Sequence, residues 1–191
     1  MSLPVAPAVF ERIFRVIHKA LLRHRFASPH RCCTLFSVIG AAILNEAHNI
    51  RAVSRSGGAM FELGLARQLA FVDVSSGIYA HSESGFHSWV EADGWFVDLS
   101  SPLYPEMVAD LDIGECGRRM MQKPMSEEAA TPGELSAQRR FCLFPDEAFT
   151  VSQINLVLDD DRMFELLYQC INAYTRGSDI DLSGICVDDC W

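Results

Sequence analysis

The sequence predicts one α+β domain in which an antiparallel sheet packs on a central, cysteine-bearing helix. Three observations carry this. Apolar residues recur at helical spacing over residues 7–25 and again from Cys33 to Ala47. From Ile50 onward the pattern changes to short strand-like runs, and Asp93-Gly94 between two of them is a strong hairpin signal. The chain has 191 residues, 49% apolar and 21% charged, enough for one good core and short for two domains.

Taken in order, residues 7–25 form an amphipathic helix with Val9, Ile13, Val16, Ile17, Ala20 and Leu21 on one face. Its polar face carries Arg12, Arg15, Lys19 and Arg23, and packing against neighbours explains it better than a membrane surface does. Ser28-Pro29 breaks the pattern. The next helix, from Cys32 or Cys33 to Ala47, bears small residues at Ser37, Gly40, Ala41 and Ala47 beside Leu44. Small residues allow close approach, so this helix is expected to be buried and central. Ile50–Ser54, Ala59–Leu63 and Leu69–Val74 read as strands, with Gly57-Gly58 as a turn. Gly85–Ala92 and Trp95–Leu99 flank the hairpin turn. Residues 114–138 show little periodicity and read as a long loop or insertion, of the kind that often serves as a lid. Phe149–Leu158 reads as a strand. A C-terminal helix follows over 159–174, with Met163, Leu166, Leu167, Cys170 and Ile171 on one face and Asp159 or Asp160 as cap.

The net charge of −9 is uneven: residues 1–55 carry +6 and the remainder −15. The basic residues are interleaved with the helical pattern, and the acidic remainder argues against a nucleic-acid groove. Seven cysteines without Cys-x2-Cys pairs argue against structural zinc. With neither a leader pattern nor an apolar run of membrane-spanning length, the expected compartment is the cytoplasm, with reduced thiols. Cys186 and Cys190 are near enough in sequence to pair under oxidation, but read as ordinary thiols.

The chemistry-bearing residues are Cys33, His87 and Asp98. A helix N-terminus stabilises a thiolate, and a nearby imidazole adds to the effect. Counting outward from the Asp93-Gly94 turn, Ala92 faces Trp95 and Trp89 faces Asp98. His87 and Asp98 are then diagonal neighbours on one face, about 7–8 Å apart at Cα. A carboxylate there would orient the imidazole toward a nucleophile. Of the adjacent cysteines, Cys33 starts a stripe of Ser37, Gly40, Leu44 and Ala47, whereas that of Cys32 ends at Glu46, a charge costly to bury. Cys33 is therefore the expected nucleophile. Trp89, Trp95 and Tyr104 are candidate cleft walls.

These segments resemble the transglutaminase-like superfamily, whose core order is shared by arylamine N-acetyltransferases and papain-like peptidases. The resemblance covers about residues 30–104. It rests on the cysteine-headed helix with Gly40-Ala41-Ala42-Ile43-Leu44 and Asn49-Ile50-Arg51-Ala52-Val53. It rests more specifically on His87-x-Trp89-Val90-Glu91 followed by Gly94-Trp95-x-x-Asp98. It points to an uncharacterised bacterial branch. It implies that Cys33 is the nucleophile, His87 the general base and acid, and Asp98 the orienting carboxylate. The backbone N–H of Cys33 would contribute to an oxyanion hole; no side-chain oxyanion donor can be assigned from the sequence.

The expected activity is hydrolysis of a peptide or small amide or ester through a thioacyl intermediate, without cofactor or metal. Acyl transfer to an amine is the alternative reaction, and a catalytically silent binding module is the alternative role. A metal site at His81, Glu83, His87 and Glu91 is the weaker rival, because Ser82–Gly85 reads as a loop and no metal-binding helix motif is present. Neither a nucleic-acid nor a membrane partner is expected.

Overall fold

The computed structural model describes residues 3–24, 28–64, 67–75, 77–82, 85–136, 138 and 140–177. Cys186 and Cys190 lie outside them.

Helix α1 spans Pro7–Arg23, with proline in its first turn, where the missing N–H has no intrahelical partner to lose. It buries Phe10, Ile13, Ile17, Ala20 and Leu21. Helix α2, Cys33–His48, ends at Asn49 in the left-handed conformation, φ 51°. It is buried on nearly every side through Leu44, which makes it the axis of the fold. Gly40 shows why a small residue is needed there: a Cβ at this position would lie 1.9 Å from Leu99 Cδ1.

The strands are β1 Ala52–Gly64, β2 Arg67–Phe71, β3 Asp73–Ser75, β4 Ile78–Ala80, β5 His87–Ala92, β6 Trp95–Asp98, β7 Met121–Pro124 and β8 Phe141–Pro145. Six form a curled antiparallel sheet in the order β2-β1-β5-β6-β7, with β8 also paired to β1; β3 and β4 form a separate hairpin. The turn between β5 and β6 has positive φ at Asp93 and Gly94, 49° and 79°, matching a type I′ hairpin. Ala92 pairs with Trp95, Glu91 with Phe96 and Val90 with Val97, the register expected from the sequence.

Among the described residues there are three further α-helices: α3 Tyr104–Asp110, α4 Glu147–Asp159 and α5 Asp161–Arg176. Helices α1 and α5 pack on α2, and α2 packs on β1 and β5. Alternation along β5 divides the interior in two. Val90 and Ala92 face the helices, whereas Trp89 faces a second, aromatic-rich cluster with Phe61, Phe96, Tyr104 and Phe141.

Several expectations are corrected. Gly57-Gly58 is not a turn: β1 runs straight through it. Gly57 pairs with both His87 and Pro145, and a Cβ there would sit 2.2 Å from the Phe144 carbonyl oxygen. The glycine permits two strands to close on a third. Within 114–138, β7 joins the sheet edge beside β6, and Gln122 anchors it by bonding both the N–H and the carbonyl of Val5, at 3.2 and 3.0 Å. A four-residue strand is too short to leave a periodic trace. Phe149–Leu158 is helical, not a strand, because Asp146 caps α4 by accepting the Phe149 N–H at 2.8 Å. Ala47 and Glu46 are both exposed, so the contrast between the two stripes does not discriminate Cys33 from Cys32. The cap by Asp160 and the α5 face of Met163, Leu166, Leu167 and Cys170 are as expected.

Candidate active site

Cys33 is the first residue of α2, and its side chain is nearly buried, with 6% of the residue exposed. Its position follows from a short 3-10 turn over Pro29–Arg31, after which Cys32 stands as the helix N-cap. Cys32 points elsewhere: its thiol lies 3.7 Å from the Ser28 carbonyl. Burial, reinforced by neighbouring Cys33, pushes the Cys32 thiol up to about 12, so it stays protonated at neutral pH. This difference in surroundings, not the helix stripe, separates the two.

His87 opens β5 and is fully buried, as is Asp98 at the end of β6. His87 Nε2 and Asp98 Oδ2 are 2.9 Å apart. The imidazole stacks on Phe71, with ring centres 4.7 Å apart and planes within 22°, and meets Phe61 edge-on at 5.3 Å. Rings on two sides leave it little rotational freedom. Its Nδ1 is buried and makes no hydrogen bond of proper geometry. Cys33 is nonetheless among the groups that favour the protonated ring. A close but imperfectly aligned pair is common in ligand-free catalytic sites.

Electrostatics divide the pair unequally. Burial opposes charge on His87, but the Asp98 carboxylate and then Cys33 outweigh it, raising the imidazole to about 10. Burial likewise opposes charge on Asp98, but His87, Tyr104 and Ser100 outweigh it and hold the carboxyl below its ordinary range. The imidazolium–carboxylate form is the one this environment favours.

Asp98 has more partners than the hairpin argument supplied. Ser100 donates both its backbone N–H and its hydroxyl to Oδ1, at 2.8 and 2.7 Å. Tyr104 donates its hydroxyl to Oδ2 at 2.6 Å. With His87, that makes four donors around one buried carboxylate. The Ser100 contact is a short-range Asp-x-Ser turn bond and was legible in the sequence. Tyr104 was not, because its reach to Asp98 depends on the 3-10 turn Ser101–Leu103 that carries the chain from β6 into α3. Trp89 and Tyr104 are fully buried, so the expectation that they wall a cleft is corrected; Trp95 is partly exposed.

His81 stacks on Phe149 with ring centres 3.9 Å apart and lies 3.8 Å from the Asp146 carboxylate. Glu91 pairs with Arg55 at 3.3 Å, and Glu83 lies outside the described residues. Among the described residues no group of three or more His, Cys, Asp or Glu side chains is placed to hold a metal ion. No helix among them is long and apolar enough to cross a membrane.

The fold and site define an α+β protein with a cysteine at a helix head and a buried histidine–aspartate pair beside it. The chain belongs to the family DUF2026, described as a protein of unknown function, whose model matches residues 8–182. A solved structure described as "The crystal structure of genomics APC5867" is similar to it, at 26% identity and a TM-score of 0.77, covering 91% of this chain and 82% of that one. No curated protein matches.

Proposed function

We propose that the protein is a cysteine-nucleophile hydrolase of amides or esters. The observation that carries this reading is the meeting of Cys33, at the head of α2, with an imidazole whose other nitrogen is held by a buried carboxylate. The resemblance to the transglutaminase-like superfamily assigns the same three residues the same roles, and Cys33 stands in the first turn of α2, where the backbone N–H groups lack intrahelical partners.

The chemistry balances with these groups alone. The Cys33 thiolate adds to a substrate carbonyl carbon, and charge develops on the carbonyl oxygen. The intermediate collapses by losing the amine or alkoxide, which takes its proton from the His87 imidazolium, leaving a thioester on Cys33. Neutral His87 then removes a proton from water as it attacks the thioester. The acid leaves, and the thiolate and imidazolium are restored. Asp98 keeps the ring in place and stabilises its charged form.

The test is labelling with iodoacetamide and with electrophilic peptides of varied length at pH 6, followed by mass mapping. Cys33 should be the fast site. The other described thiols are disadvantaged: burial raises Cys116, and it lifts Cys142 to about 11 and Cys170 to about 12. Labelling that is equally slow in the wild type and in Cys33→Ser would sink the proposal.

A further inference from the structure

One polar chain beside the site is not used by the three residues above. Thr34 follows Cys33 in the first turn of α2. Its hydroxyl lies 3.1 Å from Gln153 Oε1 on α4 and 3.2 Å from the Ser88 hydroxyl on β5. Ser88 in turn lies 2.7 Å from the Ser56 hydroxyl on β1. Ser56 and Ser88 are both buried.

The direction of this chain follows from the Gln153 carboxamide oxygen facing Thr34. A hydroxyl has one proton, and a carboxamide oxygen only accepts. Thr34 therefore donates to Gln153 and accepts from Ser88. Ser88, its proton spent, accepts from Ser56. Three hydroxyl dipoles then run from the sheet to that carbonyl oxygen, an arrangement in which each hydroxyl proton of the chain has an acceptor. The other end of the carboxamide, Nε2 with two N–H donors, takes no part in the chain, and the residue is only partly buried. Helix α4 is held in register for this by Thr150, one turn earlier. Thr150 accepts the Ser56 N–H at 2.9 Å and donates to the Ser56 carbonyl at 3.2 Å.

We propose that Gln153 Nε2 is the side-chain donor to the oxyanion that forms when Cys33 adds to a carbonyl, with Thr34 as the residue that positions it. The inference rests on the hydrolase reading. It supplies the donor that a Cys33 backbone N–H alone would lack: the first N–H groups of a helix have no intrahelical partner, but a second, converging donor must come from elsewhere. The carboxamide is tied to the residue next to the nucleophile and has donors to spare.

Two reactions of the same thiol separate this role from a structural one. Alkylation by iodoacetamide is a displacement at carbon and develops no oxyanion; acylation by p-nitrophenyl acetate does. Gln153→Glu keeps an oxygen to accept from Thr34 but removes the N–H donors, and Gln153→Ala removes the group. Gln153→Ala should slow Cys33 acylation by about 100-fold, the usual effect of losing one such donor, with alkylation at pH 6 within about twofold of the wild type. Gln153→Glu should slow acylation at least as much, and its added negative charge slows alkylation too, so the comparison of the two reactions is made on Gln153→Ala. Thr34→Val should lose part of the acylation rate and Thr34→Ser should recover it. Acylation unchanged in both Gln153 variants would overturn the proposal, as would acylation and alkylation slowed equally in Gln153→Ala. If the wild-type thiol is not alkylated faster than in Cys33→Ser, the hydrolase reading itself falls and this inference falls with it.

Discussion

At the scale of single residues, the two adjacent cysteines differ in what surrounds them. Cys32 is a buried thiol held protonated, whereas Cys33 faces an imidazole. Cys32→Ser should therefore keep most of the iodoacetamide reactivity at pH 6, and Cys33→Ser should lose it. Mass mapping of the carbamidomethyl group checks both. His87→Ala should abolish the low-pH reactivity. The four donors on Asp98 add a second expectation. Tyr104→Phe removes a hydrogen bond to a buried charge, worth about 1.5–3 kcal/mol. Tyr104 also holds the Asp98 carboxyl below its usual range, so its loss lets that carboxyl rise. The acid limb of the alkylation pH–rate curve should then move to higher pH. Urea unfolding and the pH profile, measured on the same variant, give the two readouts. An unshifted acid limb would mean that Tyr104 only packs.

At the scale of elements, the glycine in β1 and the cap of α4 are the sensitive points. Gly57 sits where β5 and β8 close on opposite edges of one strand, and its neighbours there are backbone atoms that cannot rotate aside. Gly57→Ala should destabilise the domain by about 1–3 kcal/mol, the usual cost of overpacking. Gly40→Ala meets the end of the Leu99 side chain, which can repack, so its effect should be smaller. A pair of urea titrations compares them. Asp146→Ala removes the α4 cap and should cost about 1 kcal/mol. Read as a strand, the Phe149–Leu158 segment hid this cap. Its apolar residues suit either element, and the decisive signal was the aspartate three residues before Phe149. The short β7 was hidden for a different reason: four residues hold too few alternations to register.

At the scale of the whole molecule, the buried His87–Asp98 pair links folding to pH. His87 keeps its proton up to about 10 in the fold but releases it near 6.5 when unfolded. Between these values the folded chain binds more protons, so stability falls as pH rises. The contribution is complete below the unfolded value. Asp98 acts in the opposite sense. Its folded value is depressed, so its contribution is present above the ordinary carboxylate range and is lost as pH falls through the lower folded value. Denaturation from pH 7 to 10 should cost the wild type more than His87→Gln, which has no such proton to lose. Below about pH 4, the wild type should lose more than Asp98→Asn. Parallel curves for wild type and variant would show that the pair does not titrate as its burial implies.

The helices α1, α2 and α5, the β5–β6 hairpin and the register that brings His87 to Asp98 were determined by the sequence itself. Each is a local matter: a periodicity of 3.6 or 2, a capping residue, or a two-residue turn that only a few residue types form. The distance from the head of α2 to β5 and the partners of β1 on both edges were decided only by the tertiary structure. So was the ordered hydroxyl chain that ends on Gln153. These contacts join residues far apart along the chain: Thr34 and Gln153 are separated by 119 positions. No local pattern encodes such a contact, because it forms only when separately folded elements share one core and their buried polar groups must find partners within it.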